Sequence, residues 1–352
     1  MRIVALEEHY SPAELAGRIP ADVLRARGWS AGDGRPGLAA LQGELREAGA
    51  LRLASMDRAG ISVQVMSMTG AGAELLAGAD GVALARAYND RLHQLALEHP
   101  DRFAGFCHLP MADPDAAADE LERGVRELGL RGALVNGTTG GRFLDDRAFE
   151  PLLARAATLD VPIYLHPSLP PNPVLDAYYG DLPGHSGFLL AGPGFGWHAE
   201  TAIHLLRLVL AGAFERHPGL KLIIGHMGEG LATMMDRLDE VFGAHARQNL
   251  SAGVGDTIRA RVWVTTSGFF SMPPFQAALS AFGVERLLFS VDYPFSSNDR
   301  AVAFLRGLPL PPPTWRGSRT RMRTGCSAWT ARAAVRGEFQ SIAGTEVRWR
   351  DK

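Results

Sequence analysis

The chain contains 352 residues, 46% of them hydrophobic, and its net charge of −2 leaves no basic field for nucleic acid and no single-sign run for a membrane surface. No apolar run approaches the ~20 residues that a membrane-spanning helix needs, and the first residues lack the pattern of a signal peptide. Two cysteines are too few for a disulfide framework, so we expect a cytoplasmic globular protein.

Eight short apolar runs follow one another along the chain, and each is a predicted strand. They occupy residues 2–6, 62–67, 102–109, 131–136, 161–166, 221–225, 262–266 and 286–291. Helical periodicity appears between them, at residues 43–59, 82–99, 113–128, 146–159, 200–216, 229–242 and 274–282. Residues 11–45 contain scattered Pro and Gly and are expected to form a long loop with one short helix. A Pro-rich loop within residues 168–197 is expected to form a wall or lid.

Apolar strands that alternate with helices are typical of parallel βαβ units, because helices cover both faces of such a sheet. Eight units in about 310 residues favour an α/β fold, the TIM (β/α)8 barrel, with a doubly wound sheet as the alternative. In a barrel the functional side chains lie at the C-terminal ends of the strands. The residues at those ends are therefore the candidates for chemistry.

Metal-competent side chains stand at three of these strand ends. Glu7 and His9 follow the first strand, His166 ends the fifth, and Asp292 follows the eighth. Two imidazoles and two carboxylates suit Zn²⁺ or Mn²⁺ better than Ca²⁺ or Cu⁺. Glu7 and His9 are two residues apart, so their side chains are expected on the same side of the strand. Glu8 should point away and be structural.

The stretch GHMGEG at residues 225–230 follows the sixth strand and supplies a further imidazole, that of His226. We expect His226 to act as an acid or base beside the metal, with Glu229 orienting its ring. The stretch lacks GxGxxG spacing and a Walker lysine, and no GxSxG occurs, which argues against nucleotide-loop and serine-nucleophile chemistry. The remaining histidines are expected to be solvated or capping: His93, His99, His108, His185, His198, His204, His217 and His245.

Four stretches together resemble a known family. They are ALEEHY (5–10), DVPIYLHP (160–167), HAETAIHLLRLVLAGAFERHPGLKLIIGHMGEGL (198–231) and RLLFSVDYPF (286–295). The chain is similar to the amidohydrolase-related decarboxylases, and within them it resembles the γ-resorcylate (2,6-dihydroxybenzoate) and 2,3-dihydroxybenzoate decarboxylases, relatives of aminocarboxymuconate semialdehyde decarboxylase. The resemblance runs to about residue 310.

This resemblance implies a (β/α)8 barrel with one divalent metal, Zn²⁺ or Mn²⁺. It implies that the ligands are Glu7, His9, His166 and Asp292. In such enzymes the metal holds the carboxylate and the ortho hydroxyl of the substrate. The fourth strand ends in Asn136 rather than in a lysine, so a carbamylated-lysine binuclear centre is not expected.

The resemblance also implies catalytic roles. Asp292 protonates the ring carbon before CO₂ leaves, and a His226–Glu229 pair stands beside it. Arg237 matches an arginine that assists substrate binding, in some members across a subunit interface, and a homodimer or homotetramer is implied.

Three functions remain open at this point. The first is a metal-dependent, non-oxidative decarboxylase of an ortho-hydroxylated benzoate or a similar small acid. The second is a metal-dependent hydrolase or hydratase of a small cyclic substrate on the same scaffold. The third is a catalytically weak relative whose barrel serves binding or assembly, and the complete set of four ligands argues against it.

Residues 311–352 do not match this resemblance. They carry eight arginines, three of the six tryptophans and Cys326, without usable periodicity. Only two of the 36 basic residues in the chain are lysines, which is typical of a GC-rich gene. Read from the third base of each codon, residues 313–331 can yield DVEGIAHANADRLLGLDG, which resembles the missing family ending. We therefore predict a barrel at residues 1–310, with a loop insertion near 11–45, and a tail at 311–352 produced by a frameshift near 311–313; a divergent tail is the alternative.

Overall fold

The computed structural model of the chain describes residues 2–29, 38–309, 339–340 and 346–347. Parts of the predicted 11–45 loop and most of the 311–352 tail lie outside the described residues. All eight predicted strands are present, with bounds that differ by a few residues. They are β1 (Val4–His9), β2 (Val63–Ser67), β3 (Phe103–Gly105), β4 (Ala133–Asn136), β5 (Ile163–His166), β6 (Leu222–Ile224), β7 (Val262–Thr265) and β8 (Leu287–Leu288).

The strands form two parallel sheets that continue into one another. One sheet has the order β1–β2–β3 and the other the order β4–β5–β6–β7–β8. A parallel bridge between Cys107 and Ala133 links the two sheets on one side, and a parallel bridge between Leu6 and Ser290 links them on the other. The neighbour order therefore runs around a ring, and the fold is the predicted TIM barrel rather than an open doubly wound sheet.

Eight buried side chains fill the interior of this ring, one from each strand or the residue next to it. They are Leu6, Val65, Phe106, Leu134, Tyr164, Ile223, Trp263 and Leu288. This cluster is separate from the larger core that lies between the strands and the helices. A packed interior of this kind leaves the strand ends as the place for a functional site.

Helices surround the barrel. Asp113 shows how one begins: its side chain accepts a hydrogen bond from the backbone N–H of Ala116 at 3.1 Å, and a proline occupies the first turn.

In the described part of the chain, no helix combines the length and the apolar character that a bilayer crossing demands. The helices are Ala13–Ala16, Ala21–Ala26, Leu38–Arg46, Ala50–Ala59, Gly78–Glu98, Pro114–Arg126, Glu150–Leu159, Asn172–Val174, Ser186–Leu189, Gly196–Leu210, Ala213–Arg216, Met235–Asn249, Val254–Arg261, Met272–Phe282 and Asn298–Gly307.

Several expectations about these segments were wrong. The single helix predicted at 43–59 is two helices, because Gly49 has a non-helical backbone conformation (φ −105°, ψ −127°). The described residues of the 11–45 segment contain two short helices and all but the last residue of a third, where one short helix was expected. The helices Val254–Arg261 and Asn298–Gly307 were not predicted. In the tail, Phe339–Gln340 and Glu346–Val347 form a short antiparallel pair that no periodicity indicated.

Candidate active site

The predicted strand ends converge at one buried cluster. Donor atoms of Glu7, His9 and His166 all lie within 4.8 Å of one another. Nε2 of His9 lies 3.1 Å from Oδ1 of Asp292, and Nε2 of His166 lies 3.3 Å from Oε1 of Glu7. Nε2 of His226 lies 3.7 Å from the same Glu7 oxygen and 4.0 Å from Oδ2 of Asp292. Three imidazoles and two carboxylates thus share one site.

Unusual backbone conformations aim these side chains. The backbone φ angle is positive at Glu7 (55°), His226 (52°) and Asp292 (70°). Residues other than glycine rarely adopt this left-handed conformation. In β1 the pairing register shifts between Ala5 and Glu8. Both Glu7 and His9 reach the cluster, as expected, but through this local irregularity rather than through the regular alternation of a strand.

The two carboxylate oxygens of Glu7 have different surroundings. Oε2 accepts hydrogen bonds from the hydroxyls of Tyr164 and Ser267, the latter at 2.5 Å. Oε1 is buried and has no hydrogen-bond partner within the described residues. It faces the two imidazole nitrogens of His166 and His226. One oxygen of Glu7 is therefore held in place while the other remains available.

His226 and Glu229 form the predicted pair. Nδ1 of His226 lies 2.8 Å from Oε1 of Glu229. Burial lowers the pKa of His226, but the negative charges of Glu229 and Glu7 outweigh it and raise that pKa to about 10. Burial raises the pKa of Glu229, but the charge of His226 and a hydrogen bond from His198 hold it at about 2. Both shifts favour the charged forms, an imidazolium beside a carboxylate.

His198 is a member of this site rather than the solvated or capping residue that the sequence suggested. Its Nδ1 lies 2.5 Å from Oε2 of Glu229, and its ring packs 4.8 Å from that of His226. The ring of Phe269 packs against both imidazoles, with its centroid 5.3 Å from that of His198 and 5.9 Å from that of His226. His198 lies on the helix Gly196–Leu210 and not at a strand end, so the pattern that found the other residues could not find it.

Of the two roles expected for His108 and His204, solvated or capping, the solvated one is wrong, because both side chains are buried. Nε2 of His204 accepts a hydrogen bond from the backbone N–H of Leu144 at 2.7 Å, and Nε2 of His108 accepts one from Ala73 at 2.8 Å. These neutral rings support the scaffold.

Glu8 has the structural role expected for it. Its carboxylate accepts hydrogen bonds from the backbone N–H groups of Val291 and Tyr293, at 2.9 Å and 3.3 Å. These two groups flank Asp292, so Glu8 fixes the turn that presents Asp292. Burial, opposed by those hydrogen bonds and by Arg52, raises the pKa of Glu8 to about 8.

Arg237 lies away from this cluster. Its side chain is 63% exposed on the helix Met235–Asn249 and forms an ion pair with Glu240 at 2.9 Å. Within a single chain, the structure does not bring it together with the other predicted site residues.

The chain is similar in sequence to known proteins. The sequence profile of the amidohydrolase family matches residues 40–324. Decarboxylase orsB of Emericella nidulans is 39% identical over 312 residues, which cover 87% of this chain and 89% of that protein. The gamma-resorcylate decarboxylase of Rhodococcus jostii is 36% identical over 318 residues, which cover 85% of this chain and 90% of that protein.

A solved structure shares the fold. It is a dihydroxybenzoic acid decarboxylase from Polaromonas sp. JS666 with bound manganese and the inhibitor 2-nitroresorcinol. It superposes with a TM-score of 0.76 and 32% identity, covering 88% of this chain and 92% of that one. The chain therefore belongs to the amidohydrolase family.

Proposed function

We propose that the protein is a metal-dependent, non-oxidative decarboxylase, a carbon–carbon lyase that releases CO₂ from an ortho-hydroxylated benzoate or a similar small unsaturated acid. The observation that carries this proposal is the buried Oε1 of Glu7, which lacks a hydrogen-bond partner in the described structure and lies 3.3 Å from Nε2 of His166. A buried carboxylate oxygen in this position is costly unless a cation or a proton satisfies it. The related orsB and gamma-resorcylate decarboxylases support decarboxylation as the reaction.

The donor set fits one divalent cation, Mn²⁺ or Zn²⁺, with Glu7, His9, His166 and Asp292 as its ligands. Burial, together with the charges of two neighbouring histidines, holds the pKa of His9 well below its ordinary value, so its ring is neutral and has a lone pair to offer. When bound, such a cation polarises a substrate oxygen and stabilises a developing phenolate. The manganese in the related Polaromonas structure supports this assignment.

Asp292 is the proposed proton donor to the ring carbon that bears the carboxylate. Without a cation beside it, burial and the charge of Glu7 raise the pKa of Asp292 well above its ordinary value, which favours the protonated carboxyl. Its two oxygens face different groups, because Oδ1 lies 3.1 Å from Nε2 of His9 and Oδ2 lies 4.0 Å from Nε2 of His226. Transfer of that proton forms a C–H bond and interrupts the aromatic ring. The bond from the ring to the carboxylate then breaks, its electron pair restores the ring, and CO₂ leaves.

His226 is the proposed group that returns a proton to Asp292. Its Nε2 lies 4.0 Å from Oδ2 of Asp292, and it carries a proton at neutral pH because Glu229 is hydrogen-bonded to its other nitrogen. Glu229 keeps the ring charged and oriented. Phe269 packs edge-on against this ring, with 5.9 Å between the ring centroids.

We infer that Arg237 acts on the substrate of a neighbouring copy of the chain. Its exposed position on the helix Met235–Asn249 supports a role across a subunit interface in a homodimer or homotetramer. Light scattering of the purified protein tests this: a monomer that is fully active contradicts it.

We also propose that the enzyme is cytoplasmic and has no nucleic-acid or membrane partners. Residues 1–310 form the catalytic barrel in this proposal, and the tail at 311–352 results from a frameshift. Sequencing of the gene through codons 311–313 tests the frameshift. An uninterrupted reading frame that close relatives share would contradict it.

Incubation of the metal-loaded protein with a panel of hydroxybenzoates in ¹⁸O-labelled water tests the reaction. The proposal predicts CO₂ release that requires neither oxygen nor a nicotinamide cofactor and stops on chelation. Incorporation of ¹⁸O into a product without CO₂ release would instead indicate hydrolysis or hydration on the same barrel.

A further inference from the structure

Three buried hydroxyls surround the Oε2 atom of Glu7. They belong to Tyr164 on β5, to Thr265 at the end of β7, and to Ser267 two residues later. All three side chains and Glu7 itself are fully buried. We call Tyr164, Thr265 and Ser267 the hydroxyl triad.

The hydrogen bonds of the triad can be counted. Tyr164 and Ser267 each donate to Oε2 of Glu7. Oγ1 of Thr265 lies 2.7 Å from the Tyr164 oxygen and 2.8 Å from that of Ser267. Because those two hydroxyls use their protons on Glu7, Thr265 donates to one of them. Every hydroxyl proton is then used, and Glu7 is purely an acceptor.

This arrangement leaves Glu7 one orientation. Rotation of the carboxylate would break two charge-assisted hydrogen bonds in a fully buried site, where bulk water cannot replace them. Oε1 is therefore kept toward Nε2 of His166, where it has no hydrogen-bond partner of its own within the described residues. A carboxylate with one saturated oxygen and one free oxygen is prepared to bind through a single atom.

We propose that Tyr164, Thr265 and Ser267 are positioning residues that hold Glu7 ready to bind the cation through Oε1 alone. This inference rests on the proposed function, because it assumes that Glu7 is a metal ligand. Groups that hydrogen-bond to ligating side chains typically change metal affinity by about 10–100-fold when they are removed. The triad is part of the binding site although none of its members touches the cation.

Thr266 provides a matched control. Its hydroxyl is also fully buried at the end of β7, but it donates to the backbone carbonyl of Ser290 at 2.7 Å and accepts from the N–H of Ser290 at 3.0 Å. Thr266→Val therefore removes the same group from the same segment without touching Glu7. A structural effect alone would appear in both Thr265→Val and Thr266→Val.

The experiment measures the dissociation constant of Mn²⁺ by competition with a fluorescent chelator and, in parallel, the melting temperature of the metal-free proteins. We expect Ser267→Ala and Thr265→Val to weaken Mn²⁺ binding by about 10–100-fold. We expect Thr266→Val to lower the melting temperature and to leave the dissociation constant unchanged. The inference would be overturned if Ser267→Ala and Thr265→Val bound Mn²⁺ as tightly as wild type. It would also be overturned if Thr266→Val lost as much Mn²⁺ affinity as these two variants.

Glu7→Gln separates this inference from the proposed function. If Glu7→Gln loses Mn²⁺ while the triad variants keep wild-type affinity, only the inference about the triad is wrong. If Glu7→Gln keeps wild-type affinity, Glu7 is not a ligand, and the proposed metal site fails together with the inference.

Discussion

The Nδ1 atom of His198 lies 2.5 Å from Oε2 of Glu229, whose other oxygen lies 2.8 Å from Nδ1 of His226. One carboxylate thus bridges two imidazoles. The bridge ties the helix Gly196–Leu210 to the turn after β6, and it fixes Glu229 from both sides.

Replacement of His198 by Phe should lower kcat by about 10–100-fold, because Glu229 loses one of the two partners that orient it. The metal content should stay at the wild-type level, since His198 contacts none of the proposed ligands. Steady-state kinetics and metal analysis of the same preparation measure both. His245→Phe, at an exposed histidine that is remote from the site, is the control. An unchanged kcat in His198→Phe would show that His198 does not contribute to catalysis through Glu229.

The contrast between His198 and the other site residues shows what can be predicted from this sequence. Glu7, His166 and Asp292 each follow an apolar run, and the C-terminal ends of barrel strands necessarily meet. His198 has no such signal, because the loop after β5 brings its helix over the site. The short helices of the 11–45 segment, and the register shift between Ala5 and Glu8, likewise depend on tertiary contacts that a local pattern does not contain.

Gly225 stands between two carboxylates, and a side chain there should disturb both. A Cβ atom would lie 3.2 Å from Oε2 of Glu7 and 3.3 Å from Oε1 of Glu229. The backbone of Gly225 (φ −80°, ψ −171°) is open to any residue, so the effect of Gly225→Ala is purely steric. We expect weaker metal binding and a stability loss of about 1–3 kcal/mol from overpacking.

Gly43→Ala is the control for this substitution. Gly43 lies in the helix Leu38–Arg46. No atom from another part of the described chain lies within 4 Å of the position that its Cβ would take, so the change should stabilise the protein by about 0.5–1 kcal/mol. Chelator competition and urea denaturation measure the two effects. If Gly225→Ala bound metal with wild-type affinity, the carboxylates of Glu7 and Glu229 would not lie as close to Gly225 as the structure places them.

Acid should destabilise the protein through its buried neutral histidines. Burial lowers the pKa of His204 to about 3 and that of His108 to about 4. The unfolded chain binds these protons near pH 6.5 and the folded chain does not. Stability is therefore complete above pH 6.5 and is lost as the pH falls toward 4, by about 1.4 kcal/mol per pH unit for each histidine.

Urea denaturation of wild type and His204→Gln between pH 7 and pH 4.5 tests this. The glutamine retains an acceptor for the N–H of Leu144 but does not titrate in this range. The difference in unfolding free energy between the two proteins should shift in favour of the variant as the pH falls, and metal-dependent contributions cancel in that difference. A difference that is independent of pH would mean that His204 is protonated in the folded protein or accessible to water.

Arg52 supports β1 from behind the site. It is fully buried, donates to the carbonyl of His9 at 2.6 Å and to that of Glu47 at 3.0 Å, and its guanidinium lies 4.7 Å from the ring centre of Tyr293. Arg52→Met should cost about 3–5 kcal/mol of stability, because it leaves the buried carbonyls of His9 and Glu47 without their donor and removes the positive charge near Glu8. Arg58→Met, on the same helix but 63% exposed, should change stability by less than about 1 kcal/mol. Equal melting temperatures of the two variants would contradict a supporting role for Arg52.

Metal-dependent decarboxylation is tested by measuring the metal content of the purified protein together with CO₂ release from 2,6-dihydroxybenzoate and related hydroxybenzoates, before and after chelation. We predict about one Mn²⁺ or Zn²⁺ per chain, CO₂ release that chelation abolishes and metal restores, and loss of both metal and activity in His166→Ala. A protein that releases CO₂ equally well without metal, or that binds metal and releases none from any hydroxybenzoate, would contradict it.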